Sequence, residues 1–471
     1  MSYRHTPATF LSMPQAHSQD LQDEKFTVMT TRPIGPLITR MAIPALLSIM
    51  TSALYNLADS WFVSQVGEGS TRAVAALGVI FSYQTICNAV GFFFGHGSGN
   101  FISRALGRKE RSKASEMAAT GAISSFIAGT LIAIAGLLLS DQLLVFLGAS
   151  AEILPEARAY FQFIALSTPF LTTQLTLNNQ LRLQGNARLG MVGIMSGAIL
   201  NIGLDALFIF GLNMGITGAS IATAISQVTA CLILFAMTHV GDGIAIRIKH
   251  FRPTLPNYRE ITAGGLPSLS RQALNAVAAI VLNRYAIQYG ADPLAALSIT
   301  SRLFHLVVCL AIGVGQGFQP VCGFNYGAKK YDRVREAFFF GVKLNSIILV
   351  AGFIGLMAAA PQIIAQFGSS PEAAAIASRA TRYYALTLPF LGFVIMTEMF
   401  YQNTRQTFGA TLLAMMRQGL ALMPAVIVLD AAFGLEGVLW AQPAANSVSL
   451  FFALPFAIHL LNKLKTSSYS N

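Results

Sequence analysis

The chain has 471 residues, of which 54% are hydrophobic and only 11% are charged, and its mean hydropathy is +0.58. Soluble globular proteins carry about 25% charged residues, so this composition excludes a soluble enzyme. The formal net charge of +11 leaves two interpretations open. The chain is either a nucleic-acid-binding protein or a membrane protein whose cations mark one side of the bilayer.

Long apolar stretches recur along the chain, separated by charged or glycine- and proline-rich breaks. About 20 apolar residues are enough to cross a bilayer as a helix, and a helix satisfies its own backbone hydrogen bonds where lipid offers none. The sequence therefore predicts an all-α polytopic membrane protein with twelve transmembrane helices. The predicted spans are 35–64, 74–103, 117–140, 158–182, 190–212, 216–240, 262–289, 294–324, 336–360, 380–404, 410–430 and 437–460.

The cations alternate with the predicted spans. Cation-rich breaks follow the even-numbered spans, as at 104–113 and 329–335, whereas the other breaks carry mainly acidic residues. Because positive loops stay in the cytoplasm, both termini are predicted to be cytoplasmic. The positive charge thus indicates membrane topology, and we expect no nucleic-acid partner.

The two halves of the chain resemble each other. Segment 94–109 matches 314–329, and segment 165–171 matches 385–391, each at an offset of 220 residues. Six spans return the chain to the same side, so we expect two pseudo-symmetric six-helix bundles of equal orientation with a central cleft. The predicted parts are a polar cytosolic N-terminal tail (1–30), an N-terminal lobe (31–240), a cytosolic connector (241–257), a C-terminal lobe (258–465) and a C-terminal tail (466–471).

Two carboxylates fall inside predicted spans of the N-terminal lobe, Asp59 in the first span and Asp205 in the fifth. A carboxylate at membrane depth costs about 2.5–3.5 kcal/mol on insertion scales, so each is a candidate functional residue. Tyr55 precedes Asp59 by four positions and Asn201 precedes Asp205 by four, so each pair shares one helix face. The alternative is that both carboxylates lie near the outer membrane face and are simply solvated.

If the two carboxylates meet in one cavity, burial and mutual repulsion favour the uptake of a proton. Neutral oxygens from Asn201 and Thr223 would allow the same group to hold a monovalent cation instead. Thr223 and Gln227 repeat the four-residue spacing in the sixth span. Pro44 in the first span removes a backbone hydrogen bond and predicts a helix kink.

The remaining chemistry-bearing residues give weaker signals. Glu398 in the tenth span could be a second functional carboxylate, or it could pair with Arg271 or Arg284. No Walker sequence and no nucleophile–base or metal-ligand pattern occurs in the sequence. We therefore expect neither an enzyme nor a resident cofactor, and an ion gradient rather than ATP as the energy source.

Four segments, at 54–59, 201–205, 218–223 and 264–268, carry a family resemblance. Together with the twelve spans and paired lobes, they resemble the multidrug and toxic compound extrusion (MATE) transporters over about residues 35–460. The chain looks closest to the DinF-like branch of prokaryotic members. The resemblance implies a secondary-active multidrug exporter in the bacterial inner (plasma) membrane, and we expect the protein to be a monomer. Such a protein would exchange amphipathic, often cationic drugs or toxins for inward H⁺ or Na⁺ by alternating access.

The resemblance also implies roles for particular residues. One set of residues would bind the coupling proton, or a sodium ion if the protein is Na⁺-coupled. A second set would line the drug cavity, and a proline would kink the first helix. The residues are Asp59, Asn201, Asp205 and Thr223 for the cation, Tyr55 and Asn178 for the cavity, and Pro44 for the kink. Gln227, which lies four positions after Thr223, is also expected to line the cavity.

Two other functions stay open. A lipid-linked precursor flippase of the same superfamily tends to have more spans and a cationic central cavity, whereas the first lobe here is acidic. A non-coupled channel would conduct without any dependence on an ion gradient.

Overall fold

The computed structural model describes residues 15–65, 70–241, 243–368 and 370–469, and these residues form helices and short connections without any β-strand. Positions 1–14 and 470–471 of the two predicted tails lie outside the described residues. π-Helical turns at Ala206–Gly211 and Met416–Leu420 follow α7 and α14, and a single 3₁₀ turn spans Ile248–His250. The α-helices are α1 Gln15–Thr31, α2 Ile34–Ser64, α3 Ser70–Gly107, α4 Arg111–Leu138, α5 Ser140–Phe146, α6 Leu154–Leu183, α7 Ala187–Asp205, α8 Gly215–Met237, α9 Leu255–Ile287, α10 Ala291–Gly327, α11 Tyr331–Ala365, α12 Pro371–Ala385, α13 Leu388–Asn403, α14 Thr407–Met415, α15 Leu422–Phe433 and α16 Leu435–Tyr469.

Each predicted span coincides with one long helix or with a run of consecutive helices. In the part of the chain that the structure describes, nine such segments are long and apolar enough to cross a membrane, and the pair α12 and α13, bent by 55°, would raise the number to ten. The other two, α6 and α9, have 30 and 33 residues but a more polar composition. The all-helical, multi-span class is confirmed, and the count of twelve stays a prediction.

The polar character of α6 has a structural reason, because several of its polar side chains form hydrogen bonds with neighbouring helices. Helix α6 packs against α3, α4 and α8. The Thr176 hydroxyl donates to Ser125 Oγ at 2.9 Å, and Gln180 Nε2 donates to Ser98 Oγ at 2.8 Å. Gly121 of α4 permits this close approach, since a Cβ there would overlap the Ser98 side chain.

The chain forms two compact units. Of the described residues, unit 1 takes those within Met1–Pro33, Leu47–Gly265 and Gly323–Ala328, and unit 2 takes those within Ile34–Leu46, Leu266–Cys322 and Lys329–Asn471. The start of α2 therefore belongs to unit 2 and the end of α10 to unit 1, because these long helices continue beyond the unit that contains most of their length. The predicted lobe boundaries at 240 and 257 stay predictions.

The internal repeat is visible in the turns that end helices. Lys109 after α3 and Lys329 after α10 have φ of 60° and 58°. Gly185 after α6 and Arg405 after α13 have φ of 86° and 62°. Positive φ is uncommon for residues other than glycine, and both pairs lie at the offset of 220 residues. The two halves therefore end corresponding helices with the same left-handed turn.

Part of the predicted N-terminal tail is helical and packs within unit 1. In α1, Lys25 Nζ donates to Asn186 Oδ1 at 2.8 Å, and Asp23 accepts from Lys109 Nζ at 3.0 Å. Met29 is buried in the same contact. The charges of this segment were the reason to predict a polar tail. In the structure Lys25 and Asp23 instead form hydrogen bonds with residues of the turns after α6 and α3.

Candidate functional site

The structure brings the two candidate carboxylates of unit 1 to one neighbourhood. Asp59 lies in the last turns of α2, and Asp205 is the last residue of α7, just before a π-helical turn. The Tyr160 hydroxyl of α6 donates to Asp59 Oδ2 at 3.3 Å. The two carboxyl groups interact electrostatically with each other and with this hydroxyl. Tyr160 is therefore a shared neighbour of both acids.

Several oxygens of this group lack hydrogen-bond partners among the described residues. They are both carboxyl oxygens of Asp205, Oδ1 of Asp59 and Oδ1 of Asn201. Asp205 is completely buried. An unpartnered buried acceptor costs about 1–3 kcal/mol, and more when it is charged. A proton or a monovalent cation bound between these oxygens would offset that cost.

The amide and hydroxyl predicted as neutral ligands lie together. Asn201 Nδ2 of α7 donates to Thr223 Oγ1 of α8 at 3.3 Å. This hydrogen bond leaves the Asn201 carbonyl oxygen available to a cation. Among the described residues no group of three or more His, Cys, Asp or Glu side chains could hold a metal ion. Any sodium ion here would therefore bind through two carboxylates and neutral oxygens.

A cavity of about 180 Å³ lies in the same unit. Tyr55, Asn201, Thr223 and Gln227 all line it, together with apolar and further polar side chains. The Ser167 hydroxyl donates to Gln227 Oε1 at 2.7 Å and so orients the Gln227 amide. Drug-sized pockets typically measure about 300–1,000 Å³, so this cavity would enclose only part of such a molecule.

Not every predicted residue reaches the cavity. Asn178 does not line it, because its Nδ2 donates to the Gly190 carbonyl at 3.0 Å and so links α6 to α7. Its predicted contact with a drug stays a prediction. Helix α2 continues through Pro44 without a break, and the role of this proline as a kink also stays a prediction.

Sequence reasoning missed further polar residues of this region, among them Tyr160, Asn88 and Gln174. Tyr160 contacts Asp59, and Asn88 and Gln174 line the cavity. Gln174 offered a signal, since it is an amide inside an apolar predicted span. Tyr160 offered none, because a tyrosine near the start of a span is ordinary and its contact depends on how α6 packs.

Unit 2 also contains a buried carboxylate, but this one has a partner. Glu398 of α13 forms an ion pair with Arg271 of α9. Of the two roles considered for Glu398, the pairing with Arg271 is confirmed.

Comparison with known proteins identifies the family. The family model MatE matches residues 44–207 and 267–427. The chain belongs to the MatE family. This MatE protein is 27% identical over 451 residues to the multidrug export protein MepA of Staphylococcus haemolyticus (strain JCSC1435), a match that covers 96% of the chain and 99% of the relative.

Solved structures agree with this assignment. A crystal structure of MATE in the bent conformation matches with a TM-score of 0.87 at 25% identity, covering 97% of this chain and 100% of the other. A crystal structure of MATE in the straight conformation also gives 0.87 at 25% identity, covering 94% and 99%. The resemblance to MATE transporters is thus confirmed, and the narrower assignment to the DinF-like branch stays a prediction.

Proposed function

We propose that this protein is a secondary-active multidrug exporter. It moves amphipathic, often cationic compounds out of the cytoplasm in exchange for H⁺ or Na⁺ that enters by alternating access. One observation carries the proposal, namely the neighbouring carboxyl groups of Asp59 and Asp205, three of whose four oxygens are buried without a partner among the described residues. Membership of the MatE family and the multidrug export function named for the MepA relative support it.

The carboxyl pair supplies the coupling chemistry. Two adjacent carboxylates in a buried site repel each other, and one bound cation removes that repulsion. Asp59 sits on α2 and Asp205 on α7, so loading and unloading of the cation changes the force between two helices. A local change of charge thereby biases the packing of a mobile element. Asn201 and Thr223 provide the neutral oxygens that Na⁺ would use.

The neighbouring cavity supplies the substrate site. Phe92, Leu171 and Leu175 form apolar wall, and Tyr55 and Gln227 add polar groups. Such a lining accepts an aromatic or aliphatic body and orients its polar end. An organic cation in this cavity would be drawn towards the nearby acids, so that cation loading and drug binding oppose each other.

The conformational step is assigned to α2. Pro44 removes one backbone hydrogen bond inside this helix, which lowers the cost of bending there. Bent and straight conformations are described for structures of the same fold. The protein works as a monomer in the bacterial inner membrane with both termini in the cytoplasm, as the distribution of cations along the sequence predicts.

The test is ethidium transport into proteoliposomes under an imposed pH or Na⁺ gradient. The wild type accumulates ethidium only with a gradient of its coupling ion. Asp59→Asn cannot exchange charge, so its accumulation falls to the level of protein-free liposomes. Asp430→Asn is the matched control, because Asp430 is hydrogen-bonded to Tyr289 in an exposed contact and its replacement leaves accumulation unchanged.

Three results would contradict the proposal. Full gradient-driven accumulation by Asp59→Asn would remove the coupling role of this carboxylate. Ethidium flux that ignores every gradient would indicate a non-coupled channel. Gradient-independent transfer of a lipid-linked precursor without any ethidium transport would favour the flippase.

A further inference from the structure

A second cluster of charged side chains is buried in unit 2. Arg271 of α9 pairs with Glu398 of α13, and their side chains are 18% and 5% exposed. Arg417 lies in the π-helical turn Met416–Leu420 and is 7% exposed. Arg417 interacts electrostatically with both Glu398 and Arg271. We call these three residues the basic cluster.

The charges of the basic cluster do not balance. Guanidinium groups stay protonated in proteins, so two cations face one carboxylate. The other titratable group beside Arg417 is His305 of α10, whose ring contacts the Cys309 thiol at 3.3 Å. A histidine cannot supply the missing negative charge. The cluster therefore carries one excess positive charge in a buried position, which is costly unless an anion joins it.

Arg417 is the residue left without a partner. Its guanidinium makes no hydrogen bond to any residue that the structure describes, although it has five N–H donors. Arg271, by contrast, is held by Glu398 and lies 3.5 Å from Ser268 Oγ, which also accepts from Gln402 Nε2 at 2.9 Å. One arginine is thus fixed and the other is available to a ligand.

The internal repeat places Arg417 at a position that lines a cavity in the other half. At the offset of 220 residues Arg417 corresponds to Gly197, which lines the unit 1 cavity. The widened π-helical turn is a second sign, because such turns occur frequently at functional sites. Unit 2 therefore carries a guanidinium at a position where unit 1 carries a glycine in the cavity wall.

We propose that the basic cluster binds a monovalent anion, held mainly by Arg417 and assisted by Arg271. The ligand is either a halide or the carboxylate group of an organic anion, since both present one negative charge to a planar guanidinium. Glu398 competes with this anion for Arg271. The proposal stands independently of the exporter function, because it rests only on the side chains of unit 2.

The experiment measures equilibrium binding of radiolabelled benzoate to the purified full-length protein in detergent, with chloride as the competitor. Arg417→Gln lowers the benzoate affinity by about tenfold or more, because the main cationic partner is lost. Glu398→Gln raises it by about tenfold, because a competing negative charge is removed. Arg382→Gln, an exposed arginine of the same unit, leaves the affinity unchanged.

The gain of affinity in Glu398→Gln separates a binding site from a structural cluster, since a damaged fold does not bind more tightly. Arg417→Lys keeps the charge and is expected to bind with intermediate affinity. Displacement of benzoate by millimolar chloride identifies a halide site, and binding of benzoate unaffected by chloride identifies a carboxylate site. No benzoate binding by the wild type, equal binding by Arg417→Gln, or no gain in Glu398→Gln would overturn the proposal.

Discussion

The two units use one repeated framework to place different charged groups near one another. In unit 1, Asp59 and Asp205 lie near each other, and no cationic side chain makes a described hydrogen bond or ion pair with either. In unit 2, Arg271 and Arg417 surround the single carboxylate Glu398. The helix-ending turns are nevertheless preserved between the halves. The backbone repeat therefore carries the fold, and the side chains that differ between the halves carry the chemistry.

Energetics explain why this difference is informative. Packing of small residues and neutral hydrogen bonds, such as those along α6, stabilise the helices without any buried charge. A buried charge instead costs free energy unless it is compensated. The burial of the acids of unit 1 and of the excess positive charge of unit 2 is thus not explained by stability, and ligand binding is the explanation that we propose for each.

The largest effect is expected when the ion pair between Arg271 and Glu398 in unit 2 is broken. Arg271→Leu removes the ion-pair partner of the buried Glu398. This should lower the free energy of unfolding by about 3 kcal/mol, the lower end for a broken buried pair, because Arg417 still interacts with Glu398. Replacing both residues with leucine should restore only part of that loss, because Arg417 then stays buried without its nearby carboxylate. Denaturant unfolding of the purified protein in detergent measures both values.

An exposed pair in the same unit provides the control. Arg379 and Glu436 lie 2.8 Å apart with side chains 52% and 40% exposed, so Arg379→Leu should cost less than about 1 kcal/mol. Equal losses for the buried and exposed pairs would show that burial does not distinguish them. Burial would then not explain why the ion-paired carboxylate of unit 2 should differ in energy from the carboxylates of unit 1, which have no ion pair among the described residues.

Much of this architecture is predictable from the sequence. Long helices are expected because the backbone of an apolar stretch must form its own hydrogen bonds within the bilayer. The alternation of cations along the chain predicts the number of spans. The neighbourhood of Asp59 and Asp205 follows from their depth in the spans and from the family resemblance. The helical state of 15–31 was not predicted, because its contacts with unit 1, such as that of Lys25 with Asn186, join residues far apart in sequence.

Side-chain partners were harder to predict than helices. The choice of Arg271 over Arg284 as the partner of Glu398 depends on the rotation of α9, which spacing alone does not give. Asn178 was expected to line the cavity, and its amide donates a hydrogen bond to the Gly190 carbonyl oxygen of the next helix. In each case a contact between helices decides the role, and a single sequence contains no direct record of such contacts.

A smaller effect is expected when Tyr160 is changed. This change tests whether the carboxylates of unit 1 depend on a fixed hydrogen-bond donor, as carboxylates that are solvated by water would not. Tyr160→Phe removes the hydroxyl that donates to Asp59 and keeps the ring. One lost hydrogen bond to a charged group is worth about 1.5–3 kcal/mol. The carboxylate should therefore bind its coupling cation about tenfold more tightly, and release should become slower.

The ion dependence of ethidium transport measures this change as a lower half-saturating concentration of the coupling ion. Tyr401→Phe serves as the control, because the Tyr401 hydroxyl donates to the carbonyl of Phe456 in unit 2. An unchanged ion dependence in Tyr160→Phe would mean that Tyr160 does not act on the carboxylate. The acid pair would then not need the third residue that the structure places beside it.

The smallest expected effect lies outside the spans, where the two halves again differ in charge. Helix α4 begins after Glu110, and α11 begins after Lys330 at the corresponding position. Hydrogen bonds from Lys113 and Arg108 lower the pKa of Glu110 below its ordinary value. The folded state thus favours the ionised carboxylate, and the helix N-terminus favours a negative charge as well.

The sign of the pH dependence follows from this shift. Stability from Glu110 is fully present above the ordinary pKa of about 4.3 and is lost as the pH falls through the lower folded value. Glu110→Gln should therefore cost less than about 1 kcal/mol at pH 7 and nothing at strongly acidic pH. Denaturant unfolding at both pH values measures the difference in stability between the wild type and Glu110→Gln. In a protein that already carries Lys113→Gln this difference should be smaller, because Glu110 has then lost one hydrogen-bond partner. A difference that persists in acid would mean that the side chain acts by packing, and the contrast in charge between the two helix starts would have no energetic consequence.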